Sequence, residues 1–69
     1  MDAKVYKIID VVGCSTKSFQ DATENAVSEA GRTLKGLAWF EVKEHRGGLK
    51  DGKINEYQAV VRIGFRIID

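Results

Sequence analysis

Asp51-Gly52 stands between two alternating segments, residues 37–46 (LAWFEVKEHR) and 54–68 (INEYQAVVRIGFRII), and constrains the fold more than any other feature. Asp-Gly suits the positive-φ positions of a two-residue hairpin turn, so the second half of the chain predicts one long antiparallel hairpin. Side chains alternate between the two faces of a strand. In the last segment Tyr57, Ala59, Val61, Ile63, Phe65 and Ile67 share one apolar face, and Glu56, Gln58, Val60, Arg62, Gly64 and Arg66 share the other. In the first segment Ala38, Phe40 and Val42 oppose Trp39, Glu41, Lys43 and His45. With Lys50 opposite Lys53, Trp39 faces Gly64 and His45 faces Gln58. The polar faces then coincide, and Trp39 and Gln58 lie on one surface. Gly47-Gly48 offers room for a bulge that shifts this register by a residue or two.

Only one segment is available to cover the hairpin. Residues 4–12 (KVYKIIDVV) are rich in β-branched residues and end at the breaker Gly13. They predict a strand with apolar residues on both faces, hence largely covered. Ser15 and Thr16 then offer N-cap oxygens, and Asp21 and Glu24 suit the early turns of a helix. Phe19, Ala22, Ala26, Ala30 and Leu34 recur three or four apart with Val27 beside them, predicting a helix over about 16–34 with Gly36 as its C-cap. Its seam is mostly alanine, which lets it lie close to a sheet. The order is β-α-β-β in a single α+β domain spanning 1–69. One helix covers one sheet face, and the only tryptophan falls on the other. A large aromatic there is an interface or a ligand platform more often than an accident.

A chain of 69 residues makes a small core and leans on disulfides, metals or oligomerisation. A single cysteine, Cys14, excludes an intrachain disulfide, and Cys14 with a single His45 makes no metal cage. Homo-oligomerisation is the remaining expectation. A near-neutral balance of 11 basic and 10 acidic residues argues against a general nucleic-acid binder. No apolar run approaches a membrane span. Met1-Asp2-Ala3-Lys4 leads straight into a strand-like segment, so no export signal is expected. With one free thiol, that points to the cytoplasm. No nucleophile–base constellation stands out, so the chain reads as a binder rather than an enzyme. Cys14, at a strand-to-helix junction, reads as an inert buried thiol. Glu41, Lys43, Arg62 and Arg66 share the Trp39 face and are candidates for intersubunit ion pairs. A structural or adaptor module, using the bare sheet face for protein contacts, is the alternative reading.

The opening KVYKIIDVVG, the helix start from Ser15 to Phe19, the block LAWFEVKEHRG at 37–47 and EYQAVVRIGFR at 56–66 resemble the dodecins, small bacterial flavin-binding proteins. The resemblance covers nearly the whole chain. It implies a three-stranded antiparallel sheet wrapped around one helix, twelve copies in a hollow shell, and flavins bound as stacked pairs between tryptophans of neighbouring subunits. The implied role is storage and protection: the flavin is buffered and its photoreactive state quenched. Carried over by position, Trp39 is the stacking residue, Gln58 the partner of the polar isoalloxazine edge, and Arg46 the residue near the ribityl phosphate. Some members also hold coenzyme A at a basic site, to which Lys4, Arg32 and Arg66 correspond; here Glu29 stands where a basic residue would help.

The residue chemistry agrees with that assignment. An indole is the largest electron-rich surface in the chain, suited to an electron-poor tricycle. A carboxamide pairs twice with adjacent donors and acceptors. Arg46 can meet a phosphate, which makes FMN the first choice over riboflavin or FAD. Its alternation places it off the Trp39 face unless a bulge re-aims it, whereas His45 has the parity of that face. A hydrophobic interface plug at Trp39, a solvating glutamine at 58 and an ordinary strand-end arginine at 46 are the plain alternatives.

Overall fold

A computed structural model describes residues 3–67 of the chain. Four elements follow in order: β1 (Tyr6–Ser15), α1 (Phe19–Thr33), β2 (Leu37–Lys50) and β3 (Lys53–Arg66). They form one antiparallel sheet in the order β1-β3-β2, with α1 against one face. The β-α-β-β expectation holds. Ile68, counted in the last strand from sequence, lies outside the described residues.

The hairpin turns where expected. Lys50 pairs with Lys53, and Asp51 and Gly52 adopt φ of 53° and 76°. Between the turn and Trp39, two of the three one-residue irregularities of this pairing act in opposite senses, the third lying beyond at Ala38. Leu49 pairs with Ile54 but Gly48 with Glu56, leaving Asn55 unpaired on β3; Glu44 pairs with Val60 but Val42 with Val61, leaving Lys43 unpaired on β2. Their offsets cancel, so Trp39 meets Gly64 as predicted. Between the bulges the register differs from expectation: Arg46, not His45, pairs with Gln58, and His45 pairs with Ala59.

Helix α1 starts later than the spacing predicts. Ser18 is the N-cap, its Oγ accepting from the Asp21 N–H at 2.9 Å. Ser15 works one step outside the helix: its Oγ donates to Asp21 at 2.7 Å and accepts from the Lys17 N–H at 2.8 Å. Leu34 closes the helix through its N–H to the Ala30 carbonyl. Gly36, expected as the C-cap, instead turns the chain into β2 at φ 78°, and its carbonyl accepts from the Arg66 N–H.

Gly13 does not end the first strand, which continues to Ser15. A Cβ there would strike the Ala22 carbonyl and sit 2.8 Å from the Ala26 Cβ. Glycine and the alanine seam together let the helix lie almost on the strand backbone. The core is correspondingly thin: Ala22, Ala26 and Ala30 from the helix against Ala59, Val61 and Ile63 from β3.

Much apolar surface stays uncovered, contrary to the sequence expectation. The helix packs on β1 and β3 and scarcely reaches β2, so Phe40 is 54% exposed and Val42 is also exposed. On β1, Ile9 and Val11 face the core, but Tyr6, Ile8 and Val12 point to the open face. The hairpin runs on past the helix, giving the molecule a length of 57 Å and leaving Leu49 and Ile54 bare at its tip.

Candidate functional site

Alternation and register assign the face opposite the helix. Ala59, Val61 and Ile63 point to α1, so their neighbours Gln58, Val60, Arg62 and Gly64 point away. Ile8 on β1 and Trp39 on β2 flank Gly64 in one row across the sheet. The indole lies over Gly64: a Cβ at that position would clash with Cε2 and Cζ2 of the ring and sit 2.8 Å from Cδ2. Glycine thus lets the ring rest on the strand backbone. Trp39 stays 40% exposed, with Ile8 and Tyr6 also exposed on this end of the face. The tryptophan does sit on the side that the helix leaves bare.

Gln58 sits farther along the same face, where the bulges bring Arg46 opposite it. Sequence alternation alone set Arg46 on the other side and His45 on this one, and both assignments are reversed. Lys43 supplies the extra residue that flips the parity of β2. Arg46 Nε donates to Gln58 Oε1 at 3.1 Å, and Gln58 Nε2 donates to Glu56 Oε2 at 2.7 Å. Arg46 also approaches Glu44 at 3.5 Å. His45 turns to the helix side, stacked on Phe19 with ring centroids 4.4 Å apart.

Cys14 pairs across β1 and β3 with Gln58 and is exposed, not buried as its position in the sequence suggested. Its thiol hydrogen-bonds Glu56, which, with some desolvation, holds the thiol pKa above its ordinary value. The Gln58 and Cys14 hydrogen bonds in turn lower the Glu56 pKa. Between this polar end and Trp39 lies an ion-pair group: Asp10 on β1 accepts from Lys43 at 3.1 Å and Arg62 at 3.3 Å, and Arg62 lies 3.9 Å from Glu41. Of the charges named as candidates for intersubunit pairs, Glu41, Lys43 and Arg62 have partners within the chain.

Trp39 and Gln58 share a face but not a neighbourhood. Their positions are six residues apart along β3, about 20 Å at the rise of a strand. One tricyclic ring cannot touch both in the same chain. The residues proposed from sequence for a coenzyme A site converge only by backbone: Arg66 pairs with Tyr6 and bonds Gly36, placing Lys4, Arg66 and the end of α1 at one end of the molecule. Arg32 there is already paired with Glu29 at 3.1 Å. Two residues that alternation did not single out as site residues complete the candidate site. Gly64 is signalled by a glycine in mid-strand, and Glu56 by its two-residue spacing from Gln58.

Comparison with known proteins bears on this arrangement. Residues 5–68 match the family model described as Dodecin. A dodecin from Thermus thermophilus is 44% identical over 64 residues, covering 93% of each chain. The solved structure of the dodecin from Streptomyces davaonensis aligns with a TM-score of 0.93 at 38% identity, covering 99% of this chain and all of its own. A calcium dodecin from Mycobacterium tuberculosis, described as having a novel calcium-binding site, aligns with a TM-score of 0.82 at 29% identity, covering 93% of this chain and 91% of its own.

Proposed function

This chain belongs to the dodecin family, and from that premise we propose that it binds a flavin, FMN first, and stores it without turning it over. The observation that carries the reading is the indole of Trp39, laid over Gly64 on the face away from the helix. Its outer face is a ready stacking surface for an electron-poor ring. Gln58, with one N–H and one lone pair still free, suits the imide edge of that ring, and Arg46 beside it suits a phosphate. These donors fit a flavin in kind.

They do not fit it within one chain, and that supports an assembled site. Trp39 comes from one copy and Gln58 from a neighbour, and flavins in stacked pairs close the gap between two tryptophans. The exposed Tyr6, Ile8, Phe40, Leu49 and Ile54 are the apolar surface that such an assembly covers. We take twelve copies as the closed form, about 92 kDa from chains of 7.7 kDa, with the cytoplasm as its place. Bound flavin brings a photoreactive excited state, and an indole in contact with it offers an electron that quenches that state. A ring covered on both sides is closed to a second substrate, which is why no turnover is assigned.

Calcium is not part of the proposal: among the described residues no three His, Cys, Asp or Glu side chains group to hold a metal. Nor is coenzyme A, because Glu29 stands where a basic residue would help. The test is a titration of FMN with protein. Fluorescence quenches at one flavin per chain, and Trp39→Ala loses most of that quenching. Unquenched flavin at stoichiometric protein, or full binding by Trp39→Ala, overturns the reading.

A further inference from the structure

We propose that Glu56 orients the Gln58 carboxamide, and that this makes the site select flavins whose imide nitrogen carries its proton. The inference rests on the flavin reading above and names a residue that controls its specificity. Nothing in the carboxamide itself fixes which way it points, since its oxygen and nitrogen ends are nearly equal in shape. Its partners fix it here. Arg46 Nε can only donate, so the atom it meets at 3.1 Å must be the oxygen. The Glu56 carboxylate can only accept, so the atom it meets at 2.7 Å must carry protons.

The shorter bond is the one to Glu56, and it is charge-assisted. Arg46 is exposed and shared with Glu44, and a ligand phosphate competes for its guanidinium. Glu56 is half-buried. It is the orienting contact that persists when Arg46 turns to a phosphate. With both neighbours satisfied, Gln58 retains one N–H and one lone pair. An imide edge offers a carbonyl beside an N–H, which answers both. A flipped amide answers the same edge only by breaking with Glu56. A methyl on the imide nitrogen removes the matching donor and leaves the Gln58 oxygen against a methyl group.

The experiment compares FMN with its N3-methyl analogue, by fluorescence titration of the assembled parent protein and of Glu56→Gln and Glu56→Ala. The parent prefers FMN by about tenfold, the worth of one good hydrogen bond with its desolvation. Glu56→Ala holds the N3-methyl analogue as the parent does but binds FMN more weakly, shrinking the preference to about twofold, whereas Glu56→Gln, whose carbonyl oxygen still accepts from Gln58, keeps most of it. A merely structural loss would weaken both ligands together and leave the ratio intact. An unchanged ratio in Glu56→Ala overturns the proposal. So does a parent that quenches both flavins with equal affinity, while the flavin reading survives. A parent that quenches neither removes the flavin reading, and the role of Glu56 with it.

Discussion

At the residue scale the arrangement turns on what lies beneath the tryptophan. Trp39 owes its position to a missing side chain, because Gly64 leaves the strand backbone bare below it. Gly64→Val should therefore lift the indole without touching any ligand-contacting group. Quenching of FMN should weaken by at least about tenfold while the assembled mass and far-UV spectrum stay those of the parent, consistent with a displaced aromatic contact. Undiminished quenching would mean that the ring stacks in some other pose. This pair was legible in the sequence, since the turn at Asp51-Gly52 set Trp39 against Gly64. The Arg46–Gln58 pair was legible only as the one-residue shift that Gly47-Gly48 allowed, and its far limit was not. Val42-Lys43-Glu44 carries no glycine or other sign of a bulge, yet the unpaired Lys43 inverts every side chain between it and the turn-proximal irregularity at Asn55. Trp39 was placed correctly because the two offsets cancel before the strand reaches it.

At the scale of elements, two local devices hold the sheet and helix together. The helix is launched by Ser18, whose Oγ meets the Asp21 N–H. Ser18→Ala should cost about 1 kcal/mol, read as an earlier denaturation midpoint. The sequence offered Ser15 and Thr16 as caps, and the structure uses Ser18 instead. Only packing decides among them, because Gly13 must reach the alanine seam before the chain can turn. The second device is Asp10, which links all three strands: it sits on β1 and accepts from Arg62 on β3 and Lys43 on β2. The Lys43 hydrogen bond leads in lowering its pKa from the ordinary 3.8, against some desolvation. A depressed carboxyl stabilises the fold above its unfolded pKa, and that contribution fades as pH falls through the lower folded value. Asp10→Asn should accordingly melt earlier than the parent at pH 7, with the gap closing at pH values below about 3.8. A gap that stays constant across that range would assign the role of Asp10 to packing instead.

At the scale of the whole molecule, Val61 and Ile63 are the largest fully buried side chains of the thin core. Each contributes about 1.5–3 kcal/mol. Meanwhile Leu49 at 74% and Ile54 at 63% exposure extend beyond any cover the helix can give. Such a chain invites copies of itself, and the separation of about 20 Å between Trp39 and Gln58 says how a site would use them. If one copy supplies the ring platform and its neighbour the amide, the two functions can be separated onto different chains. Trp39→Ala and Gln58→Ala should each quench FMN poorly when assembled alone. Unfolded, mixed in equal amounts and reassembled, they should differ. Half of the two-fold interfaces then join unlike chains, and each holds one site with both residues intact and one with neither. About a quarter of the parent's tight sites should return if chains mix at random. Were both residues drawn from the same chain, mixing would restore none, because no chain in the mixture carries the pair.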